Sequence, residues 1–216
     1  ESIGWTSLSM QWLLNIAREL LGTTIWEASA VILALAYLVL AVRKSLWCWL
    51  CAFVSSTIYV MLMFQAGLIM ETCLNIFYVI MAVYGYFEWK RSTQNNEMQI
   101  VRWTWRQHAL GIAAVCFATV INALYLQQHV QAARSPWWDS FITWGSVLTT
   151  FMVARRVIDN WLYWIVIDSI ATVLYYSRGL VATAGLFIVY VIMVIHGYWV
   201  WRKHQAEIGQ SVSSVL

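Results

Sequence analysis

The chain has 216 residues, 62% of them hydrophobic and 11% charged, with a single proline and a formal net charge of +3. This composition is far too apolar for a soluble domain, and the length is sufficient to cross a bilayer several times. It predicts an integral membrane protein and excludes the soluble classes. The small positive charge gives no reason to expect nucleic acid as a partner.

The N-terminal segment, residues 1–24, contains the stretch SLSMQWLLNIARELLG. One helical face holds Met10, Leu13, Leu14, Ala17 and Leu21. The segment also carries the polar residues Gln11, Asn15, Arg18 and Glu19. We expect an amphipathic helix that lies in the membrane interface, with an eighth, weakly apolar span as the alternative. No signal-peptide pattern is visible, and because the chain lacks an initiator Met we expect a trimmed N-terminus.

The rest of the chain contains seven apolar runs close to the length of about 20 residues that a spanning helix needs. They cover residues 25–42, 46–64, 67–89, 108–126, 138–154, 161–177 and 180–201. We expect an all-α integral membrane protein with seven transmembrane helices, followed by a polar, disordered tail at residues 204–216.

Basic residues predict the orientation, because short cytoplasmic loops are rich in lysine and arginine. If all seven runs span the membrane, ten of the 13 lysines and arginines lie on one side, and the other three are Arg18, Arg134 and Arg178. We therefore expect the N-terminus outside and the C-terminus in the cytoplasm.

An internal repeat relates the two parts of the chain. Residues 26–91 align with residues 138–203 at a constant offset and without a gap, and 18 of the 66 pairs are identical. The identical pairs include Trp49 with Trp161, Gly67 with Gly179, Tyr78 with Tyr190, Gly85 with Gly197, and Trp89 with Trp201. Each copy holds three helices, so the run at 108–126 must supply one further crossing if both copies are to have the same orientation.

The repeat predicts a 3+1+3, SWEET-like arrangement of two parallel three-helix repeats. The repeats occupy residues 25–91 and 138–203, and the linker with the fourth helix occupies residues 92–137. Repeated halves around a central site indicate a transport path; the alternative is a duplicated scaffold without one. The single proline, Pro136, lies in a loop, so pivoting would depend on helix ends or on glycines, namely Gly67, Gly85, Gly179, Gly185 and Gly197.

The sixth run carries an acid near its middle, Asp168, without an opposite charge between residues 160 and 177. One helical face holds this acid together with aromatic residues: Trp161, Trp164, Asp168, Thr172 and Tyr175. A face of the third run similarly holds Glu71, Asn75 and Tyr78. Ionisable groups within a membrane usually face an interior cavity and mark a functional site. The alternative is a protonated Asp168 that hydrogen-bonds Ser or Thr on neighbouring helices.

The fifteen tryptophans must include interfacial belt residues. We assign those at helix ends to the belt: Trp26, Trp47, Trp89, Trp137, Trp138, Trp199 and Trp201. Trp164 lies inside its helix, and Trp161 fits either location, although the polar face favours the cavity. Aromatic rings, an acid and amides suit a flat ring that bears a sugar, including a cationic ring, which an aromatic face attracts by roughly 0.5 to 2 kcal/mol.

Three stretches resemble the PnuC family of bacterial vitamin transporters: FEWKR at 87–91, PWWDS at 136–140 and NWLYWIVID at 160–168. The resemblance covers residues 25–203 and implies transport of nicotinamide riboside across the bacterial inner membrane, with relatives for thiamine, riboflavin and deoxynucleosides. It also implies a SWEET-like seven-helix fold, facilitated diffusion without ATP or a cofactor, a homotrimer, and retention of the substrate by cytoplasmic phosphorylation.

The Asn-Trp-x-x-Trp element is the most specific part of this resemblance, and it implies that Asn160, Trp161 and Trp164 bind substrate. Gln65 matches a glutamine of the family. Asp168 is a departure, because some relatives have an amide at this position, which argues against charge attraction being essential there.

Two other classes of protein are alternatives. Cys48 and Cys51 form a C-x-x-C within a predicted membrane helix, where coincidence explains the spacing better than redox chemistry. His108 and His196 fall at similar depth, which leaves a haem-binding membrane redox protein as the enzyme alternative, although the histidines have no metal-ligand spacing. A sensor that binds the ligand without transporting it is the other alternative. No glycine loop for phosphate binding is present in the sequence.

Overall fold

The structure is a computed structural model that describes residues 22–92, 99–130 and 135–213, with side chains up to residue 207. This part of the chain is helical, and each of the seven predicted runs coincides with one helix. The helices are α1 (Ile25–Val42), α2 (Trp47–Gln65), α3 (Ile69–Ser92), α4 (Trp105–His129), α5 (Pro136–Ala154), α6 (Asn160–Ser177) and α7 (Val181–Ser213). Nearly all of the predicted interfacial segment lies outside the described residues.

Capping residues fix the starts of three helices. At α1, the Thr24 hydroxyl accepts a hydrogen bond from the Glu27 backbone N–H (3.2 Å), and the Glu27 carboxylate accepts one from the Thr24 backbone N–H (2.8 Å). Thr104 and Gln107 form the same capping box at α4. The prediction that Pro136 lies in a loop is wrong, because this residue begins α5, where its missing N–H costs no helical hydrogen bond. These residues suit the first helical turn, because its backbone N–H groups have no partner within the helix.

The loops repeat the backbone conformation of the two sequence copies. Lys44 follows α1 and Arg156 follows α5, both with positive φ, and Gly67 and Gly179 occupy the corresponding turns after α2 and α6. Within the described residues these four have positive φ, and they form two pairs of repeat equivalents. The repeat therefore extends to a left-handed conformation that lysine and arginine rarely adopt.

Six of the helices form a closed ring. In order around the ring, α1 packs against α2, α2 against α3, α3 against α5, α5 against α6, α6 against α7, and α7 against α1. The fourth helix lies outside the ring and packs mainly against α5, and its His108 also hydrogen-bonds Tyr163 of α6 at 2.8 Å. The two seams between the repeats, α3–α5 and α7–α1, are equivalent under the internal repeat.

Four tryptophans form the core at one end of the ring, and each is at most 2% exposed. We call this set the tryptophan cluster: Trp49, Trp89, Trp161 and Trp201. Within each repeat the two indoles meet edge to face with their centroids 5.3 Å apart, and Trp89 lies 6.0 Å from Trp201 across the repeats. Buried aromatic pairs of this kind contribute about 0.5 to 1.5 kcal/mol each beyond their buried area.

Hydrogen bonds from this cluster join the two repeats reciprocally. The Nε1–H of Trp89 donates to the Val153 carbonyl (3.2 Å), and the Nε1–H of Trp201 donates to the Ala41 carbonyl (3.2 Å). Ala41 and Val153 are themselves repeat equivalents, so each repeat donates to the same place on the other.

The assignment of Trp89 and Trp201 to an interfacial belt is wrong, because both are fully buried. Position along a helix gives the depth of a residue but not the direction in which it faces, and the ends of α1 and α5 cover these two indoles. The belt assignment of the other five remains a prediction, and four of those are more than half exposed: Trp26, Trp47, Trp138 and Trp199.

Five of the helices, α1 to α4 and α7, are long and apolar enough to span a membrane. The less apolar helices α5 and α6 carry buried polar residues: Ser140, Ser146, Thr149, Thr150, Asn160 and Asp168. The described part of the chain is thus an all-α membrane protein with seven helices and five strongly apolar spans.

The linker after α3 covers the loop between α5 and α6. Val101 pairs with Val157 in an isolated parallel bridge, in which Val101 N–H donates to the Arg156 carbonyl at 3.1 Å and Ile158 N–H donates to the Val101 carbonyl at 2.9 Å. The prediction of disorder after residue 203 is wrong as far as Ser213, because α7 continues to that residue. Its extension includes Gln205, whose side chain donates to the Ile100 carbonyl at 3.4 Å.

Gly197 should be intolerant of a larger side chain, because a Cβ at this position would overlap the ring of Trp161. We expect Gly197→Ala to lower the free energy of unfolding by about 1 to 3 kcal/mol, the usual effect of overpacking. The measurement is the thermal unfolding temperature of detergent-solubilised protein.

Gly185→Ala is the matched control in the same helix, because a Cβ there would meet no atom within 4 Å. Its unfolding temperature should stay unchanged or rise, since alanine favours helix over glycine. Equal effects of the two substitutions would contradict the packing role of Gly197.

Candidate functional site

The ring encloses a cavity of about 820 Å³, within the usual size of a small-molecule site. All six ring helices contribute to its wall, and Trp49 and Trp161 of the tryptophan cluster close one end. The opposite end, which we call the mouth, is bordered by residues near the starts of α1, α3 and α7 and the end of α2: Thr23, Glu27, Met63, Glu71 and Thr183.

Four of the five residues on the predicted face of α6 line this cavity, namely Trp161, Trp164, Asp168 and Tyr175. They recur at intervals that place them on one side of a helix. Thr172 is not on the wall, and its hydroxyl donates to the Asp168 backbone carbonyl at 2.7 Å. This local bond satisfies the Thr172 hydroxyl within the helix.

Asp168 is a buried acid without a side-chain partner. It is 4% exposed, and among the described residues no group donates a hydrogen bond to its carboxylate or pairs with its charge. Tyr78 of α3 and Tyr190 of α7 line the same cavity. The predicted alternative, a hydrogen bond to Ser or Thr on a neighbouring helix, is not what the structure has. Because burial of an unpaired polar group is unfavourable, Asp168 is available to a ligand.

The predicted face of α3 also lines the cavity, with Glu71 nearest the mouth, followed by Asn75 and Tyr78. The Asn75 amide donates to the Glu71 backbone carbonyl at 2.8 Å, which leaves its oxygen and one N–H free for another partner. Tyr78 lines the cavity together with Ser146 of α5, and both hydroxyls can donate and accept. The part of the wall that α3 contributes is therefore supplied with both donors and acceptors.

Two other predicted binding residues lie away from the cavity wall. Asn160 is fully buried at the start of α6, where its amide donates to the Val157 carbonyl at 2.6 Å. Gln65 is the exposed last residue of α2. In this conformation Asn160 stabilises the turn before α6, and Gln65 lies beyond the mouth.

Sequence reasoning missed several residues of the wall, among them Tyr37, Tyr59, Ser56, Phe187 and Tyr190. Tyr190 could have been found, because the repeat pairs it with Tyr78, which was recognised. Trp49 likewise follows from its pairing with Trp161. Tyr37 and Tyr59 have different residues at their repeat positions, so the repeat carried no signal for them.

The cavity is symmetric in its frame and asymmetric in its polar groups. Both members of the Trp49/Trp161 and Tyr78/Tyr190 pairs line it. Other paired positions on the wall have different chemistry in the two repeats: the repeat equivalents are Ala52 and Trp164, Ser56 and Asp168, Glu71 and Thr183, and Asn75 and Phe187. A nearly two-fold frame thus presents one arrangement of polar and aromatic groups, as an asymmetric ligand requires.

Residues 24–203 match the family described as Nicotinamide mononucleotide transporter. The chain belongs to this family. It is therefore a multi-pass membrane transporter and not an enzyme, which removes the haem-binding redox protein from consideration. Two relatives and one solved structure are informative about this transporter.

The nicotinamide riboside transporter PnuC of Escherichia coli (strain K12) is 24% identical over 213 residues, which cover 87% of this chain and 89% of that protein. The riboflavin/roseoflavin transporter RibM of Streptomyces davaonensis is 26% identical over 173 residues, or 79% of this chain and 81% of RibM. A crystal structure of the vitamin B3 transporter PnuC has a TM-score of 0.68 at 18% identity and covers 96% of this chain and 93% of its own. At this identity the structural likeness establishes the shared fold.

The unpaired carboxylate of Asp168 should reduce the stability of the empty transporter. We expect Asp168→Asn to raise the free energy of unfolding of the ligand-free protein by on the order of 1 kcal/mol, because a neutral amide of the same shape is less costly to bury. Thermal unfolding without substrate measures this effect.

Asp139→Asn provides a control of opposite sign. Both Asp139 oxygens accept from the Arg178 Nη2 at 2.8 Å, so the substitution leaves a partly buried arginine without its counter-charge and with one acceptor fewer. The unfolding temperature should fall. A fall with Asp168→Asn as well would show that Asp168 has a stabilising partner.

Proposed function

We propose that the protein is a uniporter for a vitamin-type nucleoside, with nicotinamide riboside as substrate, and that it works by facilitated diffusion into the cytoplasm. The observation that carries the proposal is the cavity inside the ring, in which the unpaired Asp168 lies among aromatic residues. The pyridinium ring of nicotinamide riboside is flat and cationic, and its ribose has hydroxyls, so these groups complement the wall. The PnuC relatives support the same substrate.

Within the cavity we assign two kinds of contact. Trp161 and Trp164 contact the base, with Trp161 at the closed end and the half-buried Trp164 offering more of its ring. Asp168, Asn75 and Tyr78 hydrogen-bond the sugar or the carboxamide, and Glu71 and Tyr175 are placed toward the mouth. Asn160, Gln65 and Thr172 would reach substrate only after a conformational change.

The proposed architecture is the 3+1+3, SWEET-like arrangement with repeats at residues 25–91 and 138–203. The closed ring supports it, because the two seams of the ring are equivalent under the repeat and α4 lies outside. We further propose a homotrimer in a bacterial inner membrane, with the N-terminus outside and the tryptophan cluster at the cytoplasmic end. The basic residues near that end support this orientation, as they do in other membrane proteins.

A second candidate substrate is riboflavin, which the relationship to RibM favours. Riboflavin is larger and uncharged, so the two candidates differ in what they require of the cavity. Competition between the two vitamins for binding to the purified protein separates them.

The uniport mechanism predicts flux that follows the substrate gradient alone. In proteoliposomes without ATP, with the membrane potential clamped at zero by equal potassium and valinomycin, labelled nicotinamide riboside should enter until the two sides are equal. A strict requirement for a proton or sodium gradient would contradict uniport and would implicate Glu71 or Asp168 as the coupling group. Binding without flux would instead identify a sensor.

The site assignment predicts how three variants bind nicotinamide riboside. Trp164→Ala should weaken binding roughly five- to 150-fold, if base stacking is worth about 1 to 3 kcal/mol as in single-strand nucleic-acid complexes. Asp168→Asn should cost at most about 1.5 kcal/mol if hydrogen bonding dominates, and Asp168→Leu should cost more because it removes the partner. The measurement is calorimetric titration of folded protein.

Leu162→Ala serves as the control for these variants, because Leu162 is exposed on the outer side of α6. Its affinity should match that of the unaltered protein. Unchanged affinity in both Trp164→Ala and Asp168→Leu would mean that the substrate binds elsewhere.

Cysteine labelling tests the proposed orientation. In a background without native cysteines, a cysteine at the exposed Arg155 should be protected in intact cells from an impermeant thiol reagent, whereas a cysteine at Ala66 should react, because these residues lie at opposite ends of the ring. The reverse pattern would invert the proposed topology.

A further inference from the structure

The mouth of the cavity carries a one-sided negative charge. Three carboxyl groups line the cavity as a whole, those of Glu27, Glu71 and Asp168, whereas no lysine, arginine or histidine of the described residues does so. Glu27 and Glu71 are at the mouth, and Asp168 lies deeper. A positively charged ligand would therefore meet favourable potential along the whole path inward.

The two repeats differ in how they treat an acid at this end. Glu27 and Asp139 are repeat equivalents in the first turns of α1 and α5. Asp139 is neutralised by Arg178, at 2.8 Å from both carboxylate oxygens. The repeat equivalent of Arg178 is Ala66, which caps α2 in the same backbone conformation. The first repeat thus keeps the acid, Glu27, and lacks an arginine that would neutralise its negative charge.

The unpaired, almost fully buried Asp168 is an independent sign that this cavity receives a ligand, since its carboxylate lines the same space and has no partner among the described residues. Asp139, which does not line the cavity, is neutralised by Arg178, whereas Glu27 borders the mouth and has no basic partner among the described residues. The uncancelled charge is therefore on the acid that an arriving ligand would pass.

We propose that Glu27 and Glu71 are specificity-determining residues that select cationic nucleosides over neutral ones at the mouth. This inference rests on the proposed function and adds the charge of the substrate and the groups that recognise it. Two carboxylates at an opening with low-dielectric walls concentrate cations before they reach Asp168. The same field repels phosphorylated, anionic nucleotides.

Glu27 also has a structural role that the test must separate, because its carboxylate accepts hydrogen bonds from the N–H and the hydroxyl of Thr24 in the capping box. Glutamine preserves such a cap, so Glu27→Gln removes the charge and keeps the hydrogen bond. Ala66→Arg provides a second route to the same end, because it copies the arginine of the second repeat and leaves Glu27 in place.

The experiment compares two ligands of nearly the same shape and different charge. Nicotinamide riboside carries a pyridinium cation, whereas its dihydro form is neutral. Affinities of both are measured by calorimetry on protein in nanodiscs of zwitterionic lipid, at about 20 mM and about 500 mM salt, since salt screens exposed charges. Glu207→Gln, an exposed charge change far from the cavity, is the control.

We expect Glu27→Gln, Glu71→Gln and Ala66→Arg each to weaken binding of the cation roughly two- to tenfold at low salt, the range for single charges in a partly screened site. High salt should reduce these differences, and affinity for the neutral form should remain within about twofold throughout.

Equal losses for the two ligands, or no loss for either, would overturn the inference and leave the transport proposal intact. If neither ligand binds the unaltered protein, the proposed function fails, and the inference fails with it.

Discussion

The reciprocal hydrogen bonds from Trp89 and Trp201 are the constraint on which the rest of the structure depends. Each indole N–H donates from one repeat to a backbone carbonyl of the other, so both bonds favour this relative position of the repeats. A buried N–H of this kind needs a partner, because leaving it without one costs about 1 to 3 kcal/mol. This relative position of the repeats closes the ring of helices. It also brings Trp49 and Trp161 together at one end of the cavity, which they close.

Close packing at two glycines makes this arrangement possible. The Trp49 ring lies against Gly85 and the Trp161 ring against Gly197, in the space that a Cβ would occupy. Sequence reasoning regarded these glycines as pivots, but in this conformation they are contact surfaces for aromatic rings. A transporter that opens at this end must separate these ring–glycine contacts. Close-packed contacts of this kind switch between two arrangements and do not deform gradually.

Much of this structure could be predicted from the sequence, since apolar length determined the seven helices and the internal repeat determined which of them are equivalent. The face of α6 with Trp164 and Asp168 was also predictable, because helical periodicity alone groups these residues. Periodicity does not predict whether a helix face points to lipid, to another helix or to the cavity. For that reason the sequence predicted Trp89 and Trp201 in the interfacial belt and did not indicate Tyr37 or Tyr59. Family resemblance similarly indicated Asn160 and Gln65 without stating in which conformation they would reach the cavity.

The hydrogen bonds between the repeats end on backbone carbonyls, and this affects how the sequences of the two copies can diverge. Trp89 donates to residue 153 and Trp201 donates to residues 41 and 42, yet the side chains there are exchanged: Ala41 and Val42 in one copy, Val153 and Ala154 in the other. A main-chain acceptor is present whatever the side chain, so mutations next to the seam leave the bond intact provided that total volume is kept. Each half of a duplicated gene can therefore drift toward a new cargo while the junction between the halves continues to fit.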